Sequence, residues 1–470
     1  MKFLRGRHVF GLSTLGFLLV SGVASAKTVA VTDVATLTAA IAAAAPGDEI
    51  VMADGTYHFT SSPVCSAAGT AAQPIRVHAA HPLAAKVEFD AVEGFHVTGP
   101  YWRFEGLDVH GVCAVDSNCE HAFHVTGAAK GFVLSGNRLV DFNAQLKVNA
   151  DLVGQSYVMP NGGLVEGNVV FDTHSRATSN PVTKLNIDTV DDWVVRANFI
   201  HDGHKNGGDG VSYQSFIKGG GKNGLYERNL VICTLDETSG GTRIGLSFGG
   251  GGTGAQFCAP AFNAAVPCSV EHTGGTMRNN IIVNCSDVGI YLNQSKDTHL
   301  LSNTLVATNG VDFRFANSSG EADGNLLASV IRTRDGAAFT AKTNLLNATQ
   351  PTFDGWFLDA MHGDLRKKGD QSALIGKATL RADVPDDYCA RARTGTGDMG
   401  ALQVSLGDCS TTMPPLGGGA PDAGGGGLAD GGGGTGSGGG SGSGSGSGGG
   451  ADGGGVAPCT SDAGNCTASV

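Results

Sequence analysis

Asn168-Val-Val-Phe171, Asn198-Phe-Ile200 and Asn229-Leu-Val-Ile232 are one short phrase met three times: an asparagine, then two or three β-branched, Leu or Phe residues. Working outward, the phrase returns at Asn137-Arg-Leu-Val140 on one side. On the other it returns at Asn280-Ile-Ile-Val283, Asn303-Thr-Leu-Val306, Asn325-Leu-Leu327 and Asn344-Leu-Leu346. The asparagines are 31, 30, 31, 51, 23, 22 and 19 residues apart. A unit this short cannot bury its own apolar face, so the units must stack on one another, and that makes the chain a solenoid. Strand-turn-strand units without helical periodicity point to an all-β parallel β-helix. The asparagines are then expected to form a ladder, each side-chain amide bonding the next rung at the strand spacing. The 51-residue interval reads as one coil carrying an insertion, and a Cys258–Cys268 loop fits inside it.

Composition bounds the rest. The chain has 470 residues, 74 of them Gly, and 41% of it is apolar. That much apolar content excludes a wholly disordered chain, and Gly spread through it excludes a mostly helical one. Lys2, Arg5 and Arg7 precede an apolar run from Val9 to Val20 and then Ala24-Ser-Ala26, the order of a secretory signal. Residues 1–26 are therefore expected to be removed, leaving a secreted or cell-surface chain that begins at Lys27. No later segment is long and apolar enough to span a bilayer. Residues 411–458 form a Gly/Ser-rich linker with a root-mean-square reach of roughly 35 Å, either a disposable tail or a spacer from a cell surface. A short cysteine-containing tail, 459–470, closes the chain, so the folded domain is expected to be 27–410. Net charge is −12, and near −15 without the leader, which argues against nucleic acid and anionic membranes as partners. A monomer is expected.

Eleven cysteines suit an oxidising compartment. Sequence proximity pairs Cys113–Cys119, Cys258–Cys268, Cys389–Cys409 and Cys459–Cys466. The odd count leaves at least one free thiol among Cys65, Cys233 and Cys285. No CxxC pair occurs, so a structural zinc site of that kind is not indicated.

A solenoid needs its first rung covered. Thr32 or Asp33 can cap a helix over about 33–45 whose Val34, Leu37 and Ile41 share one face. Pro46-Gly-Asp-Glu-Ile-Val-Met-Ala-Asp-Gly-Thr-Tyr57 then leads into the first coil, followed by Pro74-Ile-Arg-Val77 and Trp102-Arg-Phe-Glu-Gly-Leu107. Over roughly residues 28–345 these phrases resemble the right-handed parallel β-helix polysaccharide lyases of the chondroitinase B and alginate lyase type. The resemblance implies a right-handed helix from about residue 48 to 345 and an acidic polysaccharide as substrate.

Strand alternation sorts the faces. Leu185 and Ile187 point inward, so Asn186 and Asp188 point out; Ile217 points in, and Phe216 and Lys218 out. Ile244, Leu246 and Phe248 are expected inside, leaving Arg243 and Ser247 outside, and Tyr291, Asn293, Asp312 and Arg314 continue the exposed flank. Ten or eleven residues before each ladder asparagine stand Asp188, Lys218, Asn293 and Arg314. With rungs about 4.8 Å apart, Asp188, Lys218 and Ser247 are expected to be neighbours on a substrate-binding stripe. Eliminating a uronic acid requires neutralising the carboxylate, removing the adjacent proton and protonating the leaving oxygen. Lys218 is the candidate base, Arg243 or Arg314 the carboxylate partner, and His272 a candidate proton donor. In the resembling lyases a lysine in the setting of Ser215-Phe-Ile-Lys-Gly219 is the base. Those lyases also carry acidic calcium ligands on the same strand just before the lysine, where this chain has Val211 and Tyr213. They have an arginine where Ser247 stands. Calcium is thus a possible cofactor without matching ligands, and Asp188 is expected to raise the pKa of its lysine neighbour.

Other features point less directly to chemistry. Glu120-His-Ala-Phe-His124 is not a zinc helix, and on a regular strand His121 and His124 face opposite sides. His201 and His204 lie in a turn, and adjacent strand residues Asp191 and Asp192 diverge. Gly249 to Gly254 reads as a flat wall beside a groove. Two further functions compete with a lyase: a non-catalytic surface adhesin or glycan-binding module, and a β-helix glycoside hydrolase.

Overall fold

The structure, a computed structural model, describes residues 26–250 and 252–411. The segments expected to be an export signal and a Gly/Ser linker, and the expected Cys459–Cys466 pairing, lie outside the described residues. Three long parallel sheets run the length of the domain, with twelve, ten and ten strands. One coil shows the order. Val194–Arg196 lies in the first sheet, Phe199–His201 in the third, Val211–Lys218 in the second, and Leu225–Glu227 in the first again, one rung on. This is the parallel β-helix that the Asn-apolar repeat implies.

All eight asparagines stand in one ladder at the turn between the first and third sheets. Each Nδ2 donates to the Oδ1 of the next, from Asn137 to Asn168 at 3.0 Å through to Asn325 and Asn344 at 2.8 Å. The same Oδ1 accepts the preceding asparagine's backbone N–H, as Asn229 Oδ1 does from Asn198 N at 3.1 Å. The second hydrogen of each amide goes to a backbone carbonyl of the preceding coil. Every polar atom of a side chain buried at a tight turn is thereby used, which is the condition for placing an amide there.

The helix Val34–Ala42 covers the first rung, with Leu37 and Ile41 buried beneath it. Asp33 is its N-cap, accepting from Thr36 N at 2.8 Å in a reciprocal capping box. Inside the N-terminal coils, phenylalanines stack rung on rung, Phe95 on Phe123 at 5.2 Å and Phe59 on Phe89 at 5.1 Å. Beyond residue 345 the chain turns back through the helix Gln350–Trp356 and lies along the outer face of the third sheet. There Phe353, Phe357, Leu365, Leu374 and Leu402 bury Val169, Phe199, Leu230, Ile281 and Val306.

Three cysteine pairs form as expected: Cys113–Cys119, Cys258–Cys268 and Cys389–Cys409. Cys233 and Cys285 are also bonded, and among the described residues only buried Cys65 is free. Their separation of 52 residues hides the pairing in the sequence, but the rungs are in register there, Ile232 beside Val283. Cys233 directly follows its strand and Cys285 stands one residue further past its own, beyond Asn284, so stacking brings them together.

Candidate functional site

The second sheet has the longest strands, and its outward face forms the floor of a groove. Two columns of side chains run along it. In one, His96, His124, Lys147, Asn186, Phe216, Ser247, Tyr291, Asp312 and Arg332 occupy successive rungs. In the other, Asp188 pairs with Lys218, and Asn293 with Arg314. Two insertions build a wall along the end where the chain leaves the second sheet. One is the hairpin Asp151–Val153/Ser156–Val158; the other is the 249–270 loop. They meet where Tyr157 stacks on Phe262, ring centroids 4.3 Å apart and nearly parallel.

At the centre of the floor one carboxylate sits between two ammonium groups. Asp188 Oδ2 is 3.6 Å from Lys218 Nζ and 3.7 Å from Lys147 Nζ. All three side chains are mostly covered, with 12%, 13% and 20% exposure for Asp188, Lys218 and Lys147. Lys147 also donates to Asn186 Oδ1 at 3.0 Å. Lys218 donates to Gly252 O at 3.3 Å and lies 4.9 Å from the centre of the Phe216 ring. Burial pushes the Lys147 pKa down, and the Lys218 ammonium pushes it further, against the opposing pull of Asp188. Gly219, directly after Lys218, has φ +80°, and a Cβ there would stand 2.1 Å from Asp188 Oδ1. Only glycine leaves the carboxylate room.

Beneath the wall, Glu271 accepts from Gly219 N at 3.1 Å, Thr253 N at 2.7 Å and Thr253 Oγ1 at 2.6 Å, tying the 249–270 loop to the turn after Lys218. Burial raises its pKa. Beside the lysines, Tyr213, Tyr291, Val211, Ile244 and Val288 form an apolar patch on the floor. Aromatic side chains beside charged ones, in an elongated groove, can bind a chain of rings carrying anionic groups.

Sequence reasoning placed Asp188, Lys218, Asn293 and Arg314 correctly on one outward flank. Arg314 donates to Asp335 at 2.8 Å and to Tyr291 Oη at 3.1 Å. Three other assignments are corrected. Arg243 is not on the groove: it is 1% exposed, and its guanidinium binds Cys233 O, Glu237 and Ser239 O. Alternation breaks at Gly245, where a Cβ would lie 2.3 Å from Gly289 O, so Arg243 turns in and Ile244 joins the outward patch. Ser247 occupies an outward column but is fully buried, its hydroxyl donating to Tyr291 O at 2.8 Å and to Gly249 O. The rung neighbour of Ser247 is Phe216, not Lys218. His272 points into the interior, stacked on Phe248 at 4.2 Å, and its Nε2 accepts from Gly224 N. Burial pushes its pKa down to about 3, so it carries no proton to give near neutral pH.

Lys147 was missed because the hairpin after it breaks the count to the next ladder asparagine. The alternation of Leu146 and Val148, both buried, around Lys147 was the available signal. His121 and His124 also turn out to share a face, with rings 5.2 Å apart, because Ala122 and Phe123 are both buried and the strand bends between them. Calcium does not fit this floor. It prefers a cage of six to eight oxygens, whereas the lysine pair already flanks Asp188, and Val211 and Tyr213 supply no carboxylate.

No protein-family model and no curated protein matches the chain. Solved structures do. The pectate lyase Pel9A superposes with a TM-score of 0.56 at 14% identity, over 81% of this chain and 97% of that one. The fold is that of the parallel β-helix. Also similar are a rhamnogalacturonan lyase (TM-score 0.43, 14% identity, 81% of this chain and 97% of that one) and an alginate lyase from Paenibacillus sp. (TM-score 0.37, 16% identity, 67% and 99%). No helix among the described residues is long and apolar enough to cross a membrane.

Proposed function

We propose that the chain is an exported polysaccharide lyase that cleaves a uronate-containing polymer by β-elimination in the second-sheet groove. The observation that carries this reading is the pair Lys147 and Lys218 about Asp188, on the floor of a walled groove beside an apolar patch. The shared fold with a pectate lyase is in keeping with it. A uronate carboxylate laid over the floor against Lys218 would be neutralised by its ammonium, which makes the neighbouring C–H more acidic. Lys147, with its lowered pKa, is the group best suited to lose its own proton and act as base. Its Nζ takes the proton from C5, the C–H electron pair becomes the C4–C5 double bond, and the C4–O bond breaks with its electrons on oxygen. The ammonium formed on Lys147 returns the proton to that oxygen. Arg314, three rungs beyond Lys218, would face the carboxylate of another sugar along the same chain.

Incubation with pectate, alginate, chondroitin and neutral glycans tests this, following both the ultraviolet absorbance of unsaturated uronates and the release of reducing ends. Unsaturated product supports the lyase reading. Reducing ends without unsaturation would make the protein a hydrolase, and binding without either would make it a glycan-binding module.

A further inference from the structure

At the N-terminal end of the groove floor, Glu93, His96 and His124 each place one donor atom within 4.8 Å of the others. They come from two adjacent rungs, Glu93–Val97 and His121–Thr126, and their side chains keep 26%, 33% and 18% exposure. The distances are 2.7 Å from His124 Nδ1 to Glu93 Oε1 and 3.8 Å from His96 Nδ1 to Glu93 Oε2. His121 Nδ1 is 3.6 Å from Glu93 Oε1, buried and without a hydrogen-bond partner. The two imidazoles of His96 and His124 are stacked, 5.0 Å apart and within 11° of parallel.

The hydrogen bonding of His124 supplies a second, independent observation. Asn149 Nδ2 donates to Ala150 O at 2.9 Å, which fixes its Oδ1 as the atom facing His124 Nε2 at 2.8 Å. His124 Nδ1 is thereby aimed at the Glu93 carboxylate, 2.7 Å from Oε1, the same oxygen that the unpartnered His121 Nδ1 faces. An Nε2–H held by an amide oxygen is also the arrangement that orients a metal-binding imidazole. We infer that Glu93, His96 and His124 bind a divalent transition-metal ion of the zinc class, with His121 alongside as a fourth donor. Two or three imidazole nitrogens and one carboxylate suit that class and not calcium. Zinc bonds of about 2.0–2.2 Å would set the donors roughly 3.3 Å from one another, which lengthens the His124–Glu93 contact and shortens the His96–Glu93 one, changes that side-chain rotation can supply. The inference does not depend on the lyase reading. If both hold, the ion adds positive charge one rung from Lys147, at the end of the groove where a further carboxylate of the polymer would lie.

The other grouping of this kind among the described residues, His201, Asp202 and Asp236, is already committed to the fold. Asp202 accepts the backbone N–H groups of Leu235, Asp236 and Glu237, and His201 is stacked between Phe171 and Phe199.

The test uses the untagged, chelator-treated full chain, titrated calorimetrically with zinc chloride and, separately, calcium chloride, with a cobalt(II) spectrum reporting nitrogen ligation. One zinc ion per chain is expected, with calcium unable to compete. Glu93→Gln and His96→Ala should each weaken zinc binding by about 100-fold or more, since even outer partners of metal ligands are worth 10–100-fold. His58→Ala, an exposed histidine paired with Glu88, should change nothing. Melting temperatures measured without metal verify that each variant folds. Absence of zinc binding in the wild type would overturn the inference. So would binding unchanged in both cluster variants, or calcium taken up in preference to zinc.

Discussion

The two long tracks of this solenoid obey opposite rules. At the turn between the first and third sheets the same residue stands on eight successive coils, fully hydrogen-bonded along its interior. On the floor of the second sheet the residue changes at nearly every rung: histidine, lysine, asparagine, phenylalanine, serine, tyrosine, aspartate. A repeated side chain solves a repeated problem, here the satisfaction of backbone groups at a tight buried turn. Chemistry needs unlike groups brought close together, so it belongs on the track where the repetition stops. Substitutions on the floor should therefore alter turnover with little effect on folding, and substitutions in the ladder should do the reverse.

The largest expected effect is on the floor. Lys147→Ala should reduce the rate of unsaturated-uronate release by about 10²–10⁴, the usual contribution of a positioned base, with a melting temperature close to wild type. Lys218→Ala should lower turnover and raise KM together, since the same ammonium would bind the carboxylate and acidify the neighbouring C–H. Full turnover in Lys147→Ala would remove the lysine pair from the mechanism. Next comes the covalent tie between rungs. Replacing Cys233 and Cys285 together by serine opens a loop of 52 residues and should cost about 4 kcal/mol of stability, read from the urea midpoint under oxidising conditions. In the ladder, Asn229→Ala removes the side-chain partner of Val195 O and the acceptor of the Asn198 amide and backbone N–H, and leaves Asn280 Oδ1 only the backbone N–H of residue 229. It should cost about 3 kcal/mol, and Asn344→Ala, at the partly exposed end, about 1 kcal/mol. Either ladder variant should keep its turnover per folded molecule.

The smallest effects are the most discriminating. Asp188 raises the Lys147 pKa and Lys218 lowers it. Asp188→Asn should therefore move the limb of the pH–rate profile on which the base becomes neutral toward lower pH, and Lys218→Ala should move it toward higher pH. Shifts in the same direction would show that the limb reports some other group.

This division explains what could be read from the sequence. The ladder was legible throughout because each asparagine announces itself by repetition. Asp188, Lys218, Asn293 and Arg314 were legible because they keep a fixed count from it. Lys147 was lost to the hairpin that follows it, and Arg243 to a bend at Gly245 that alternation cannot foresee. Ser247 was lost to a loop folded over an outward column. His272 was misjudged for a different reason: nothing local distinguishes a histidine stacked on a core phenylalanine from one facing a groove. Cys233 and Cys285 are far apart in sequence and adjacent only once the coils are in register.

The segment that returns along the third sheet changes how the molecule should come apart. A bare solenoid is a chain of nearest neighbours and frays coil by coil from its ends. Here residues beyond 345 lie lengthwise across rungs from Val169 to Leu326, as a splint lies across a stack of rings. None of those coils can open without first peeling a layer that also holds the others, so they should exchange their amide hydrogens as one cooperative block. Among the described residues the coils before Val169 have no such splint, only the helix that caps the first rung, and their exchange should report a separate and lower opening energy.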